Sequence, residues 1–428
     1  MNKPVVVVGA GLAGLVCARK LYQAGIPVIV VDGEDRPGGR LKTDNVGGFR
    51  LDRGFQVFFT AYPTAKRELD LDALDLKAFK QGAYIAHGGG LHLLEPQSFG
   101  QMLRTKFAMA RDKTIPIKDK QRLQKLCNSL GTLSPREISR MHMTTTRDYL
   151  DEFGFGDEII DRFFRPFLGG IFLDRDLQVD SRQFAFVFSM LEQGQTVVPA
   201  KGIEAIAAQI AADIPRYLFR FGNKVSEILR DGEGRPTGVR LDTTETIEAS
   251  EVVIATTAEE AARLTGKETV SEFRSSTCLY FEAATPCVEG PYLVLNGTGS
   301  GIVNHVAPIT NVSPEYAPAG KHLAAVTILG NPSQSDEELA EIAKAEVSQW
   351  ITDKGVNIWR FIRAYRVANA QMAQPVGFLE KLPNNATSLP GIYQAGEFTA
   401  NSSIDGAIKS GLECAALLLS EREETEAA

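Results

Sequence analysis

No apolar stretch in this sequence approaches the ~20 residues needed to span a bilayer, so no transmembrane helix is expected. Cysteine is scarce. Cys17, Cys127, Cys278, Cys287 and Cys414 form neither a C-x-x-C pair nor zinc-ligand spacing. That argues against a disulfide scaffold or a metal site, and reads as reduced thiols in a cytoplasmic protein. Positive charge is not in excess. Lys and Arg number 46 against 53 Asp and Glu, a formal net charge of -7, which argues against a general nucleic-acid binder. Internal repeats and low-complexity tracts are missing. The first apolar run starts at Val5, so a signal peptide is not expected. What remains is globular in composition, 44% hydrophobic and 23% charged. At 428 residues it is too long for one simple core, so two interleaved domains are expected.

The chemistry begins at the N-terminus. Val5-Val6-Val7-Val8 runs into Gly9-Ala10-Gly11-Leu12-Ala13-Gly14. A helix pattern follows, with Leu12, Leu15 and Val16 on one face and Gly25 as its stop. A second apolar run, Val28-Ile29-Val30-Val31, ends at Asp32. G-x-G-x-x-G alone is weak, but the full strand–turn–helix–strand–acid unit reads as a dinucleotide cradle. Gly9 allows the tight turn, Gly11 lets the backbone approach a pyrophosphate, and Gly14 lets helix and strand pack closely. The helix N-terminus offers free N–H groups to the phosphates. Asp32 can accept from both ribose hydroxyls and would repel a 2′-phosphate.

Two further segments narrow the cofactor. Arg36-Pro37-Gly38-Gly39-Arg40 follows the acid, then Leu51-Asp52-Arg53-Gly54-Phe55-Gln56. Near the other end, Ile392-Tyr393-Gln394-Ala395-Gly396-Glu397 leads to Ser403-Ile404-Asp405-Gly406-Ala407 at a helix start. This pattern resembles the flavin amine oxidase superfamily: monoamine oxidases, protoporphyrinogen oxidases, and phytoene desaturases with their isomerase relatives. The resemblance implies FAD. It puts Gly39 and Arg40 near the pyrophosphate, and Gly54, Phe55 and Gln56 beside the isoalloxazine. It puts Gly396 and Glu397 at the ribityl–pyrophosphate region, and Ile404 with its helix start facing flavin N1 and O2, where reduced flavin carries negative charge. A mid-chain return to the cofactor domain, Val198–Ala211 and Lys224–Ile228, puts the Val225 backbone near the adenine. Some monoamine oxidases tether flavin through a cysteine near the Gly-Glu segment. None lies between Cys287 and Cys414, so the FAD is expected to be non-covalent.

The fold expected is α/β, a Rossmann-type FAD-binding domain interleaved with a substrate domain of antiparallel sheet plus helices. The cofactor domain would comprise 1–62, 198–270 and 385–428, and the substrate domain 63–197 and 271–384. Ser134 with Glu137 reads as a capping box. Ser335-Asp336-Glu337-Glu338 opens a helix to about Lys354, Ile247–Ala255 reads as one strand, and Gly297–Gly301 as a hairpin turn.

The substrate side is less marked. The run from Phe163 to Phe172, continued by Phe184, Phe186 and Phe188, reads as core or as a cavity wall. Tyr365 is a candidate for the flavin face. Arg363 and Arg366 are candidates for a substrate carboxylate, or equally ordinary exposed charges. His305, a lone histidine, reads as structural. Amine-oxidising members of the superfamily place a lysine at the start of a substrate-domain strand. The matching stretch, Ser275–Phe281, has Thr277 at that position, while Lys267 reads as an exposed loop residue. This favours carbon–carbon dehydrogenation or isomerisation of an apolar or conjugated, carotenoid- or tetrapyrrole-like substrate. A flavin amine or amino-acid oxidase is the alternative. A third class is a non-catalytic binding protein resembling the GDP-dissociation inhibitors. Segment 101–147 is basic with apolar residues interleaved, and reads as a peripheral membrane contact or a solvated helical lid.

Overall fold

The computed structural model describes residues 3–95, 114–266 and 272–427. Two sheets organise it. Val5–Val8 (β1) is buried on both faces, as its unbroken valine run requires of a strand inside a parallel sheet. The helix Leu12–Gln23 (α1) follows, and then Val28–Asp32 (β2). These join three other strands in a five-stranded parallel sheet ordered Phe219–Phe221, β2, β1, Glu251–Ile254, Ile392–Gln394. The C-terminal helix Ile404–Ala427 packs on α1. Gly411 makes the close approach possible, because a Cβ there would lie 2.3 Å from the Ala13 carbonyl oxygen.

The second sheet has seven strands, ordered Arg360–Met372, Phe273–Ala283, His322–Leu329, Val303–Pro308, Leu293–Asn296, Ala83–His87, Gly90–Leu94. It is antiparallel as expected, except that Leu293–Asn296 pairs in parallel with Ala83–His87. Gly297–Gly301 does turn a hairpin between antiparallel strands. The expected capping box forms at Ser134 with Glu137, and the helix opened by Ser335 carries one as well, with Glu338. The second helix stops at Val347, short of Lys354. The stretch 247–255 is two strands rather than one. The Ala249 and Ser250 N–H groups bond Thr237 and Pro4, turning the chain from a local three-stranded sheet into the parallel one.

Of the basic segment, residues 101–113 lie outside the described residues. From 114 on, the chain forms helices Ile117–Leu130 and Pro135–Ser139, and Arg122 and Arg147 are paired with Asp119 and with Asp151 and Asp157. Among the described residues no helix is long and apolar enough to cross a membrane.

The hairpin of Thr43–Val46 (β3) and Phe49–Asp52 (β4) joins the two halves through one carboxylate. Asp52 is buried. Its Oδ1 accepts from the Thr43 hydroxyl at 2.6 Å and the Ile203 N–H at 3.0 Å, and its Oδ2 from the Tyr316 hydroxyl at 3.0 Å. Its carbonyl accepts from Tyr280 of the seven-stranded sheet at 2.9 Å. Burial pushes this carboxyl up to about 6 despite those donors. Its protonated form is therefore favoured by folding, and the folded chain should lose stability as pH rises from about 4 to about 6. Asp52→Asn should remove that slope, so that the stability difference between variant and wild type shifts by about 2–3 kcal/mol across the window. Urea denaturation at pH 4, 5, 6 and 7 measures it, and parallel curves for the two proteins would contradict it.

Candidate active site

The three glycines of the first turn have different jobs. Gly9 sits at φ +109°, and a Cβ there would lie 2.5 Å from the Ala255 carbonyl oxygen. A Cβ on Gly14 would lie 2.0 Å from the Gly9 carbonyl oxygen. Both are glycine because protein backbone crowds them. A Cβ on Gly11 would meet nothing within 4 Å, and Gly11 lines a cavity of about 1960 Å³. Protein packing does not demand glycine there, so the space a side chain would fill is the cradle for a ligand. Gly11 is also the N-cap of α1 and offers no side-chain acceptor, leaving the first-turn N–H groups for an anion. Gly39, at φ +58°, closes over Gly11, with its would-be Cβ 3.1 Å from the Gly11 Cα.

Asp32 ends β2 on the cavity wall. Its carboxylate is held by the Ala10 N–H at 2.6 Å and the Glu34 N–H at 2.8 Å. Farther along, Arg40 pairs with Glu397 at 2.7 Å and bonds the Ala370 carbonyl at 2.9 Å. Glu397 is buried and also accepts from the Ser402 hydroxyl. Gln56 holds the Arg40 carbonyl at 3.0 Å, and Gly54, Phe55 and Gln56 all line the wall. So do Gly396 and Ile404, the first residue of the C-terminal helix. Asp405 turns away. It accepts from the Thr64 and Ala65 N–H groups at 2.7 and 2.8 Å and tethers that helix.

Three sequence-derived placements need correction, at Val225, Tyr365 and Thr277, and the two alternatives left open for Arg363 and Arg366 resolve to the one away from the cavity. Val225 is off the wall, its carbonyl taken by Arg263 at 2.9 Å, and the neighbouring Lys224 lines the cavity instead. Tyr365 is not at the cavity. Its hydroxyl donates to Asp44 at 2.9 Å and its ring lies against Tyr280. Arg363 is exposed and sits over the Tyr365 ring, while Arg366 is tied to Asp336 and the carbonyls of Pro332 and Gln334. The strand Arg360–Met372 reaches the cavity only with Val367, Ala370 and Gln371, where its register against Arg274–Ser276 bulges. Thr277 is buried on the far side and bonds the Gly330 carbonyl at 3.0 Å. Ser276, one residue earlier, is on the cavity wall. Strand alternation makes a one-residue slip a change of face.

The phenylalanine run divides. Phe164 and Phe184 are core, and Phe186 stacks on Tyr62. Phe163, Phe167, Phe172 and Phe188 line the cavity. His305, read from sequence as structural, is on the wall as well, and burial pushes its imidazole down to about 4. The signal that could have found it was its neighbour Asn304, which is a partner for the ring.

A glycine cradle at a helix start, an acid ending the second strand and a large cavity running on to an aromatic lobe define a dinucleotide-type flavoprotein. The chain belongs to the flavin containing amine oxidoreductase family, whose model matches residues 12–419. That is a family of FAD-dependent oxidoreductases. The chain is 64% identical to lysine-specific histone demethylase 1 homolog 1 of Arabidopsis thaliana over 44 residues, 10% of this chain and 5% of that protein. It is 27% identical to protoporphyrinogen oxidase 2 of the same plant over 177 residues, 40% of this chain and 32% of that one. These matches span well under two thirds of the relatives' own lengths. Among solved structures, a putative protoporphyrinogen oxidase from Exiguobacterium sp. 255-15 shares the fold, with TM-score 0.76 at 17% identity over 98% of this chain and 99% of the other.

The residues present fit FAD. Gly11 and the start of α1 would take the pyrophosphate, Asp32 the adenosine ribose, and Arg40 with Glu397 the middle of the molecule. Gly54 to Gln56 and Ile404 would flank the ring. Gly11→Val should leave folding intact and abolish flavin binding, whereas Gly14→Ala should destabilise the fold itself. Asp32→Ala should weaken FAD by about 1–3 kcal/mol. Flavin absorbance after reconstitution, with thermal melts of the apoproteins, separates these outcomes. Acid precipitation of the wild type should release all the flavin as FAD. A Gly11→Val protein that stays yellow would remove the cradle assignment.

Proposed function

We propose that this protein oxidises an apolar or conjugated small molecule, by carbon–carbon dehydrogenation or isomerisation of a carotenoid- or tetrapyrrole-like substrate. The observation that carries the reading is the aromatic lobe of the cavity, walled by Phe163, Phe167, Phe172, Phe188 and Leu191. FAD, when bound, supplies the hydride acceptor. The chain supplies shape and dryness: the phenylalanine walls exclude water and hold a flat, extended molecule by contact rather than by charge. Where the Phe273–Ala283 and Arg360–Met372 strands meet the cavity stand Ser276 and Val367, which offer no amine base. A hydride leaving an allylic carbon needs orientation more than it needs such a base.

The amine or amino-acid oxidase reading is weakened by the same geometry. The arginines that would have held a carboxylate, Arg363 and Arg366, are engaged away from the cavity. The non-catalytic reading is weakened by the open cradle at Gly11 and the intact Arg40–Glu397 pair.

The test is an anaerobic stopped-flow screen that follows flavin bleaching with carotenoid precursors, porphyrinogens, amines and amino acids. Bleaching by the apolar set should exceed that by amines by at least about 100-fold in kcat/KM, the scale on which a mismatched pocket discriminates. Fast bleaching by an amine or amino acid with silence from the apolar set would overturn the proposal.

A further inference from the structure

We propose that His305 is a substrate-binding residue whose Nε2–H donates a hydrogen bond to an uncharged oxygen on the otherwise apolar substrate, with Asn304 as its positioning residue. The inference rests on the reading that the apolar lobe holds the substrate, and it stands whichever bond is oxidised.

The tautomer follows from the neighbours. Asn304 Nδ2 lies 3.0 Å from His305 Nδ1 and donates to the Pro166 carbonyl at 2.9 Å. Turning the amide over would set its oxygen against that carbonyl, two acceptors in contact. The amide nitrogen therefore faces both groups. An amide N–H only donates, so Nδ1 accepts and the ring proton sits on Nε2. Nε2 has no hydrogen-bond partner among the described residues. A buried donor left unmet is costly and invites a partner.

The surroundings say what that partner is. His305 is 4% exposed yet forms part of the cavity wall, beside Phe55 and Leu295. The Phe55 ring meets the imidazole edge-on, with centroids 5.3 Å apart. Gly170 leaves room for the Asn304–His305 contact, since a Cβ there would lie 2.9 Å from Nδ1 and 3.1 Å from Asn304 Nδ2. Water does not reach Nε2 in this arrangement. Because His305 is part of the cavity wall, the partner assigned to Nε2 is a molecule seated in the lobe. Burial alone perturbs the imidazole, with no charged neighbour acting on it, so the ring is neutral at pH 7. A carboxylate at this spot would be buried without a counter-charge, whereas a carbonyl or ether oxygen would be matched.

Three probes of similar size test this on the FAD-loaded protein, by the change in flavin absorption on binding: butylbenzene, butyrophenone and 4-phenylbutyrate. The ketone should bind about 10-fold more tightly than the hydrocarbon, the usual gain for one hydrogen bond, and more tightly than the carboxylate. His305→Phe should bring the ketone to the hydrocarbon's level. His305→Gln, which keeps an N–H donor, should recover part of the preference. Equal binding of ketone and hydrocarbon to the wild type overturns the inference and leaves the apolar lobe standing. So does a ketone preference that survives in His305→Phe. Failure of all three probes to perturb the flavin overturns the lobe reading and this inference with it. Independently of ligands, ¹⁵N spectra of histidine-labelled wild type should show an Nε2–H tautomer at pH 7 for the signal that His305→Gln removes. An Nδ1–H tautomer there would overturn the proposal.

Discussion

The structure depends on a buried carboxylate at the joint between its two sheets. Asp52 ends the β3–β4 hairpin and gathers donors from four places: Thr43 across the hairpin, Ile203 ahead of the helix Glu204–Ala212, Tyr316, and Tyr280 of the seven-stranded sheet. The next residues, Arg53 to Gln56, are cavity wall. The side of the site beside the expected ring is thus set by hydrogen bonds to one residue, and a buried acid with that many donors is geometrically defined even where it adds little stability.

The rest of the site is joined across the whole length of the chain. Arg40 and Glu397 meet at 2.7 Å although they lie near opposite ends, and α1 packs against the helix that begins at Ile404. Gly411 lets the two helices approach closely, Gly14 lets α1 pack on the Gly9 turn, and Gly9 lets that turn tuck under Ala255. Each of those glycines is answered by protein. Gly11 is answered by empty space, and that contrast separates a ligand cradle from mere close packing.

The cradle was legible because its logic is local. A valine run, a glycine turn, a helix and an acid are consecutive, and each performs its task within a few residues of its neighbours. The substrate side was not legible for the opposite reason. Whether Ser276 or Thr277 faces the cavity is a matter of strand parity, and whether Tyr365 or Val367 reaches it is a matter of position along a strand on which the two share a face. Neither leaves a mark in composition. The fate of Arg366 was settled by Asp336, and that of the Val225 carbonyl by Arg263, both partners distant in sequence.

The amino-acid sequence by itself determined the parallel-sheet nucleotide fold, the glycine cradle, the acid at Asp32 and the flavin family, since these follow from short-range pattern and backbone sterics. Only the tertiary structure decided which phenylalanines are wall and which are core, that Tyr365, Arg363 and Arg366 stand outside the cavity, and that His305 stands within its wall. Those outcomes turn on side-chain direction and on burial against residues far away in the chain, and such properties exist only once the sheets have been brought together.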